Sequence, residues 1–184
     1  GQSGGNDFVW YHTNNTVVGD FNTPTIRDLA FKKLSAGRSH TCGISVNNKL
    51  YCFGYNNAGQ LSFTNNAAYR TTIVAPEHNF SDISAGNDFT LAIRSDGTLH
   101  GTGRNYYGQL GLGHTNNQNG LAQIGQSNQW QQVESGEGHA CGIQASKVYC
   151  WGSNYSGQLG QDGINTSSTP LQVGTEENWQ QLFV

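Results

Sequence analysis

Gly54-Tyr55-Asn56-Asn57-Ala58-Gly59-Gln60-Leu61 is followed by Gly103-Arg104-Asn105-Tyr106-Tyr107-Gly108-Gln109-Leu110 and by Gly152-Ser153-Asn154-Tyr155-Ser156-Gly157-Gln158-Leu159. The copies share one frame: a glycine, an asparagine two places on, then Gly-Gln-Leu. Each copy begins 49 residues after the one before. A fixed period of that size, in a chain with no helical pattern, marks a repeat architecture.

Upstream of each copy stands an aromatic residue with an apolar one three places on: Phe31 and Leu34, Phe80 and Ile83, Trp130 and Val133, and finally Trp179 and Leu182. Next comes a small-residue turn, Ser35-Ala36-Gly37, Ser84-Ala85-Gly86 or Ser135-Gly136. Two apolar stretches then flank a polar tip. Thr41-Cys42-Gly43-Ile44 and Leu50-Tyr51-Cys52-Phe53 flank Asn47-Asn48; Thr90-Leu91-Ala92-Ile93 and Thr98-Leu99-His100 flank Ser95-Asp96-Gly97; Cys141-Gly142-Ile143 and Val148-Tyr149-Cys150-Trp151 flank Ala145-Ser146. Asp-Gly is a strong hairpin signal because both residues tolerate positive φ. One repeat therefore reads as a four-stranded antiparallel meander, and the fold class as all-β. Such a sheet buries both faces only when copies stack, and radial stacking gives a β-propeller.

The N-terminus extends the pattern. Ser3-Gly4-Gly5-Asn6-Asp7-Phe8 lines up with Ser84 to Phe89, and Val9-Trp10-Tyr11 and Val17-Val18-Gly19 flank a tip at Asn14-Asn15. The chain ends on an isolated first strand, Trp179 to Phe183. About four blades are expected in a single domain, residues 1–184, with repeats at 31–79, 80–129 and 130–178. Residues 1–30 and the closing strand 179–184 would complete one further blade. Closure as a four-bladed ring, self-association with a second chain into a larger ring, and membership of a longer protein all remain open.

Composition sets outer bounds. Charged residues make up 11% of the 184 residues and the net charge is -3. That field is too weak to drive binding to nucleic acid or to an anionic membrane. No apolar run approaches the roughly 20 residues that span a bilayer, so no membrane insertion is expected. Gly1-Gln2-Ser3-Gly4-Gly5 is not a signal peptide, so any targeting segment is expected to have been removed or never to have existed.

Cys42 and Cys52 occupy the second and third strands of one repeat, and Cys141 and Cys150 the aligned positions of another. The intervening repeat has Leu91 and Gly101 there. Pairs present or absent together are what cross-strand disulfides produce; buried free thiols are the alternative. A zinc site is disfavoured by the spacing. Disulfides would imply an oxidising compartment, hence a secreted or cell-surface protein. His40 and His139 share a repeat position with Phe8 and Phe89, which reads as a packing site. His12, His78, His100 and His114 have no partners at ligand spacing. No metal, cofactor or catalytic set is expected, and the chain reads as non-enzymatic. Asn56, Asn105 and Asn154 read as turn-holding residues.

The positions between the frame residues change from copy to copy. In a meander the first and third connections share one face. That face would carry Arg38, Ser39, Asn87, Asp88 and Glu137 together with Tyr55, Asn57, Arg104, Tyr106, Tyr107, Ser153 and Tyr155. Exposed tyrosine among Asn, Ser and Gly suits adaptable protein binding; it also suits carbohydrate. Asn-x-Ser/Thr sequons stand at Asn14, Asn79, Asn154 and Asn165.

The chain resembles the regulator of chromosome condensation repeat family. The resemblance is carried by Ser35-Ala36-Gly37, His40-Thr41-Cys42-Gly43-Ile44, Tyr149-Cys150-Trp151-Gly152 and the three Gly-Gln-Leu segments. It implies a β-propeller, with seven blades in the usual member. It leaves three expectations for function: a rigid module that binds a protein partner, a carbohydrate-binding propeller, and a regulator of nucleotide exchange on a small GTPase.

Overall fold

A computed structural model describes residues 8–9, 17–18, 29–63 and 72–183; of 8–9 and 17–18 only the backbone is considered. The expectations on Ser3 to Asp7, on Trp10, Tyr11 and His12, and on the Asn14-Asn15 tip and sequon lie outside the described residues. The strands are β1 (Phe8–Val9), β2 (Val17–Val18), β3 (Phe31–Ala36), β4 (His40–Ser45), β5 (Leu50–Gly54), β6 (Thr72–Val74), β7 (Phe80–Ala85), β8 (Phe89–Arg94), β9 (Leu99–Gly103), β10 (Gln118–Gln123), β11 (Trp130–Ser135), β12 (His139–Gln144), β13 (Lys147–Ser153) and β14 (Thr166–Gln172).

Three antiparallel sheets follow chain order, β3-β4-β5-β6, β7-β8-β9-β10 and β11-β12-β13-β14. Each repeat is the meander expected of it. The register of the first two strands shifts at the same place in every blade, after Phe31, Phe80 and Trp130. A recurrent bulge of this kind bends a strand where a regular ladder would run straight.

The blades stack through their faces. β3 contacts β7, and β7 contacts β11. One core lies between the first two blades, where Cys42, Ile44, Leu50, Cys52 and Leu61 meet Phe80, Ile83 and Ala92. A second joins Leu91, Ile93, Leu99 and Leu110 to Trp130, Val133 and Trp151. Because both faces of the middle blade are covered, β8 is buried at five successive residues and does not alternate with solvent. In the first blade β3 does alternate: Leu34 is 58% exposed, whereas its counterparts Ile83 and Val133 are fully buried.

Three blades are complete among the described residues. Ahead of them β1 and β2 form a two-stranded antiparallel pair, with Phe8 opposite Val18 and Val9 opposite Val17; of the expected fourth blade this pair is the part within the described residues. The closing strand is a different matter. Residues 179–183 form no strand and join no ladder with β1 or β2 among the described residues. They bond to the third blade. Trp179 N–H donates to the Ser146 carbonyl (3.2 Å), as Phe80 N–H does to Asn48 and Trp130 N–H to Gly97. Gln132 Oε1 accepts from Leu182 N–H and its Nε2 donates to the Leu182 carbonyl, both at 2.9 Å. The segment thus occupies the place at which a next blade would start.

Cys42 faces Cys52 and Cys141 faces Cys150 across their ladders, with both sulfur pairs at bonding distance. In the middle blade Leu91 faces Gly101, whose missing Cβ leaves room for the Leu91 methyls, at 3.0 Å from where it would stand. One bulky side chain there fills the space that the cystine fills elsewhere. Each disulfide closes a short loop, so the chain-entropy account assigns it about 2–3 kcal/mol. C141A/C150A is therefore expected to lower the melting temperature by about 5–10 °C in calorimetry. An unchanged melt would show that the sulfurs are not bonded in solution.

Candidate functional site

The frame residues hold the displayed loops from within. In each copy the asparagine Oδ1 accepts from the leucine N–H five residues on: Asn56 from Leu61 (2.8 Å), Asn105 from Leu110 (2.9 Å) and Asn154 from Leu159 (2.8 Å). The Nδ2 groups donate to carbonyls further along, Phe63 for Asn56, His114 and Asn116 for Asn105, and Gln161 and Ile164 for Asn154. A second brace comes from the glutamines. Gln60, Gln109 and Gln158 turn Oε1 back onto the N–H of Ala58, Tyr107 and Ser156 at 2.9–3.0 Å. Each tip is therefore fixed by side-chain bonds to backbone groups, which any exchange of its exposed side chains other than to proline leaves in place. Asn154 is 5% exposed, so its sequon serves the clasp, while Asn79 and Asn165 are exposed.

The histidine position is a packing site with a polar edge. An added Cβ on Gly37 or Gly136 would stand 2.5 or 2.3 Å from Cε1 of His40 or His139, and one on Gly86 would stand 2.1 Å from Cε1 of Phe89. The ring three residues on lies over the turn, which is why that turn carries glycine. His40 Nε2 lies 2.8 Å from Thr90 Oγ1, which donates to the Gln60 carbonyl at 2.9 Å. The next copy exchanges the pair as a unit, placing Phe89 beside Ala140 in one core. Burial lowers the His40 pKa to about 4 and also lowers that of His139.

The changing positions come together in two clefts, each between neighbouring blades. The first, of about 460 Å³, is lined by Arg38 and Ser39 of the β3–β4 turn, Tyr55, Asn57 and Ala58 after β5, and Asp88, Arg104, Tyr106 and Asn117 of the middle blade. The second, of about 390 Å³, is lined by Tyr107 and, from the third blade, Glu137, Gly138, His139, Ser153, Tyr155 and Gln158. First and third connections thus share one face, as a meander requires. In the first cleft Arg104 Nη1 donates to Asp88 Oδ2 at 2.9 Å, and the guanidinium sits 5.1 Å from the Tyr106 ring centre. Asn57 Nδ2 donates to the Tyr55 hydroxyl. In the second, Tyr107 and Tyr155 meet edge to face with centroids 6.1 Å apart.

Two positions differ from the expected face. Ser153 is 8% exposed, and its Oγ lies under Gln158 Nε2 at 3.5 Å, so it forms floor and not display. Asn87 is half-buried and lines neither cleft. Two residues that sequence reasoning passed over join the blades beneath the face. Thr90 and Trp151 Nε1 donate to the carbonyls of Gln60 and Gln109, the latter at 2.9 Å. The signal for the first was the paired exchange of His40 and Thr90 for Phe89 and Ala140. Among the described residues no group of three or more His, Cys, Asp or Glu converges as a metal site would require.

Profiles of the Regulator of chromosome condensation (RCC1) repeat match residues 31–60 and 80–109 in one version and residues 96–143 and 146–183 in another. The X-linked retinitis pigmentosa GTPase regulator of Mus musculus is 40% identical over 94 residues, 50% of this chain and 9% of that protein. The chain thus spans a small part of the curated relatives it matches. Among solved structures, human WBSCR16 superposes with a TM-score of 0.74 at 16% identity, over 91% of this chain and 46% of the other. Prp20p from Saccharomyces cerevisiae, solved together with a study of its binding to Gsp1p and histones, gives 0.70 at 19% identity over 79% and 38%. At these identities the structures speak for the fold.

Proposed function

Because this chain belongs to the regulator of chromosome condensation repeat family, we propose that it is a non-enzymatic module whose two inter-blade clefts hold a partner protein. The observation that carries this reading is the state of four tyrosines. Tyr55, Tyr106, Tyr107 and Tyr155 are 44%, 63%, 43% and 67% exposed, on loops clasped by buried asparagines. Rigid aromatic area on a fixed frame contributes binding energy without a large ordering cost. The binding of Prp20p to Gsp1p and histones supports protein recognition as a use of the fold. The disulfide pairs support an oxidising compartment, secreted or at a cell surface.

Display selection with a random-peptide library tests the reading, run beside a glycan array. Peptides retained by the wild-type chain and lost from Y106A/Y107A/Y155A are the expected result, with the array blank. Glycan binding lost in the same variant would establish a lectin instead. Accelerated nucleotide release from a small GTPase would establish an exchange factor.

A further inference from the structure

The clefts are successive versions of one groove, yet they differ in charge. In the first, Arg38 is exposed and makes no ion pair among the described residues, and Arg104 gives one nitrogen to Asp88. Two guanidinium groups against one carboxylate leave an excess of positive charge. In the second, Glu137 is exposed and unpaired among the described residues, and no Lys or Arg lines the wall. Burial keeps His139 neutral near pH 7, so it does not offset that carboxylate.

The Tyr106-Tyr107 tip stands between the two. Tyr106 lines the first cleft and Tyr107 the second, though their Cα atoms are one peptide unit, about 3.8 Å, apart. One strand crossing this ridge enters both.

Resting on the protein-binding reading, we infer that the face takes a single extended segment of a partner polypeptide, with an acidic side chain in the Arg38–Arg104 cleft and a lysine or arginine in the Glu137–Tyr155 cleft. The two charged residues stand on opposite sides of the Tyr106-Tyr107 ridge, at one fixed separation along the segment. A carboxylate between two guanidinium groups accepts charge-assisted hydrogen bonds in a planar geometry. A cation in the second cleft pairs with Glu137 and lies against the faces of Tyr107 and Tyr155. A segment of reversed polarity meets like charge at both ends, which sets direction as well as affinity. A neutral glycan would gain nothing from clefts of opposite sign.

Peptides enriched from the random library are synthesised, and their affinities measured for wild type, R38E and E137R. Both side chains are exposed and unpaired, so the melting temperatures of these variants are expected to match wild type. The enriched sequences should carry an acid and a base at fixed separation. Each charge reversal should weaken binding about tenfold, and replacing the peptide's acid by lysine should restore binding to R38E. Peptides that depend on Tyr106 and Tyr107 but lack the charge pair, or bind both variants as tightly as wild type, overturn this inference and leave protein binding standing. Failure to enrich any tyrosine-dependent peptide overturns both.

Discussion

Gly103→Ala is expected to destabilise the protein by about 4 kcal/mol, a backbone strain and a steric overlap acting together. Gly103 has φ +109°, a region L-residues rarely adopt, at a cost of about 1–2 kcal/mol. Its Cβ would also stand 2.5 Å from the Asp88 carbonyl oxygen, 2.7 Å from Phe89 Cα and 3.1 Å from Gln60 Cα. These are backbone atoms, and the last belongs to the neighbouring blade, so no rotamer change relieves the overlap. Overpacking of this kind adds about 1–3 kcal/mol. At this chain length the melting temperature should fall by about 10 °C. Gly163→Ala is the matched control, because Gly163 has φ +75° with nothing within 4 Å of an added Cβ. It bears the conformational term alone. Equal losses in the two variants would refute the steric account.

The second large effect appears on acidification. With its Nε2 turned to Thr90, whose own proton goes to Gln60, His40 has a bare and buried Nδ1 without a partner. Charging the ring would put a positive charge in a buried site, and burial holds the pKa near 4, below the ordinary 6.5, against the smaller opposing pull of Asp88 and the Phe89 backbone. The unfolded chain binds that proton first. Stability is therefore fully present above about pH 6.5 and is lost as the pH falls toward 4, by about 3 kcal/mol in all. H40F/T90A copies the Phe89–Ala140 pair of the next interface and removes the titrating group. Urea melts at pH 7 and pH 4 should show a clearly smaller loss for the variant than for wild type. His100, also lowered to about 4 by burial, keeps some acid sensitivity in both. Identical losses would place the acid response elsewhere.

The sequence carried the meander and its frame because both repeat. Aromatic starts, Gly-Gln-Leu segments and paired cysteines each recur in register, and the structure puts strands, clasps and cross-strand sulfur pairs at those places. Fourth strands were harder to read. β6, β10 and β14 lie in the variable connections and have 3, 6 and 7 residues. The terminal closure rested on strand counting, and most of the first repeat that it would complete lies outside the described residues; Trp179 bonds to the blade before it as Phe80 and Trp130 do. For the candidate face, position in the repeat identified which turn a residue sits in but not the direction of its side chain. Ser153 aligns with Arg104 and Tyr55, yet a short hydroxyl at that place falls onto the floor under Gln158. Long side chains at the same place reach the surface.

The asparagine clasp has a consequence for how such a surface changes over time. Because each tip is held by bonds to its own backbone, exchanges at Tyr55 or Asn57 share no fold-stabilising bond with those at Tyr106 or Tyr155. Their effects on stability should add. New specificities can then accumulate at the first tip without a rescuing change elsewhere, whereas Tyr107 and Tyr155, which meet edge to face, change together. The clasp makes the face evolvable by parts, and a combinatorial library confined to exposed tip positions, with 107 and 155 varied as a pair, would inherit the same tolerance.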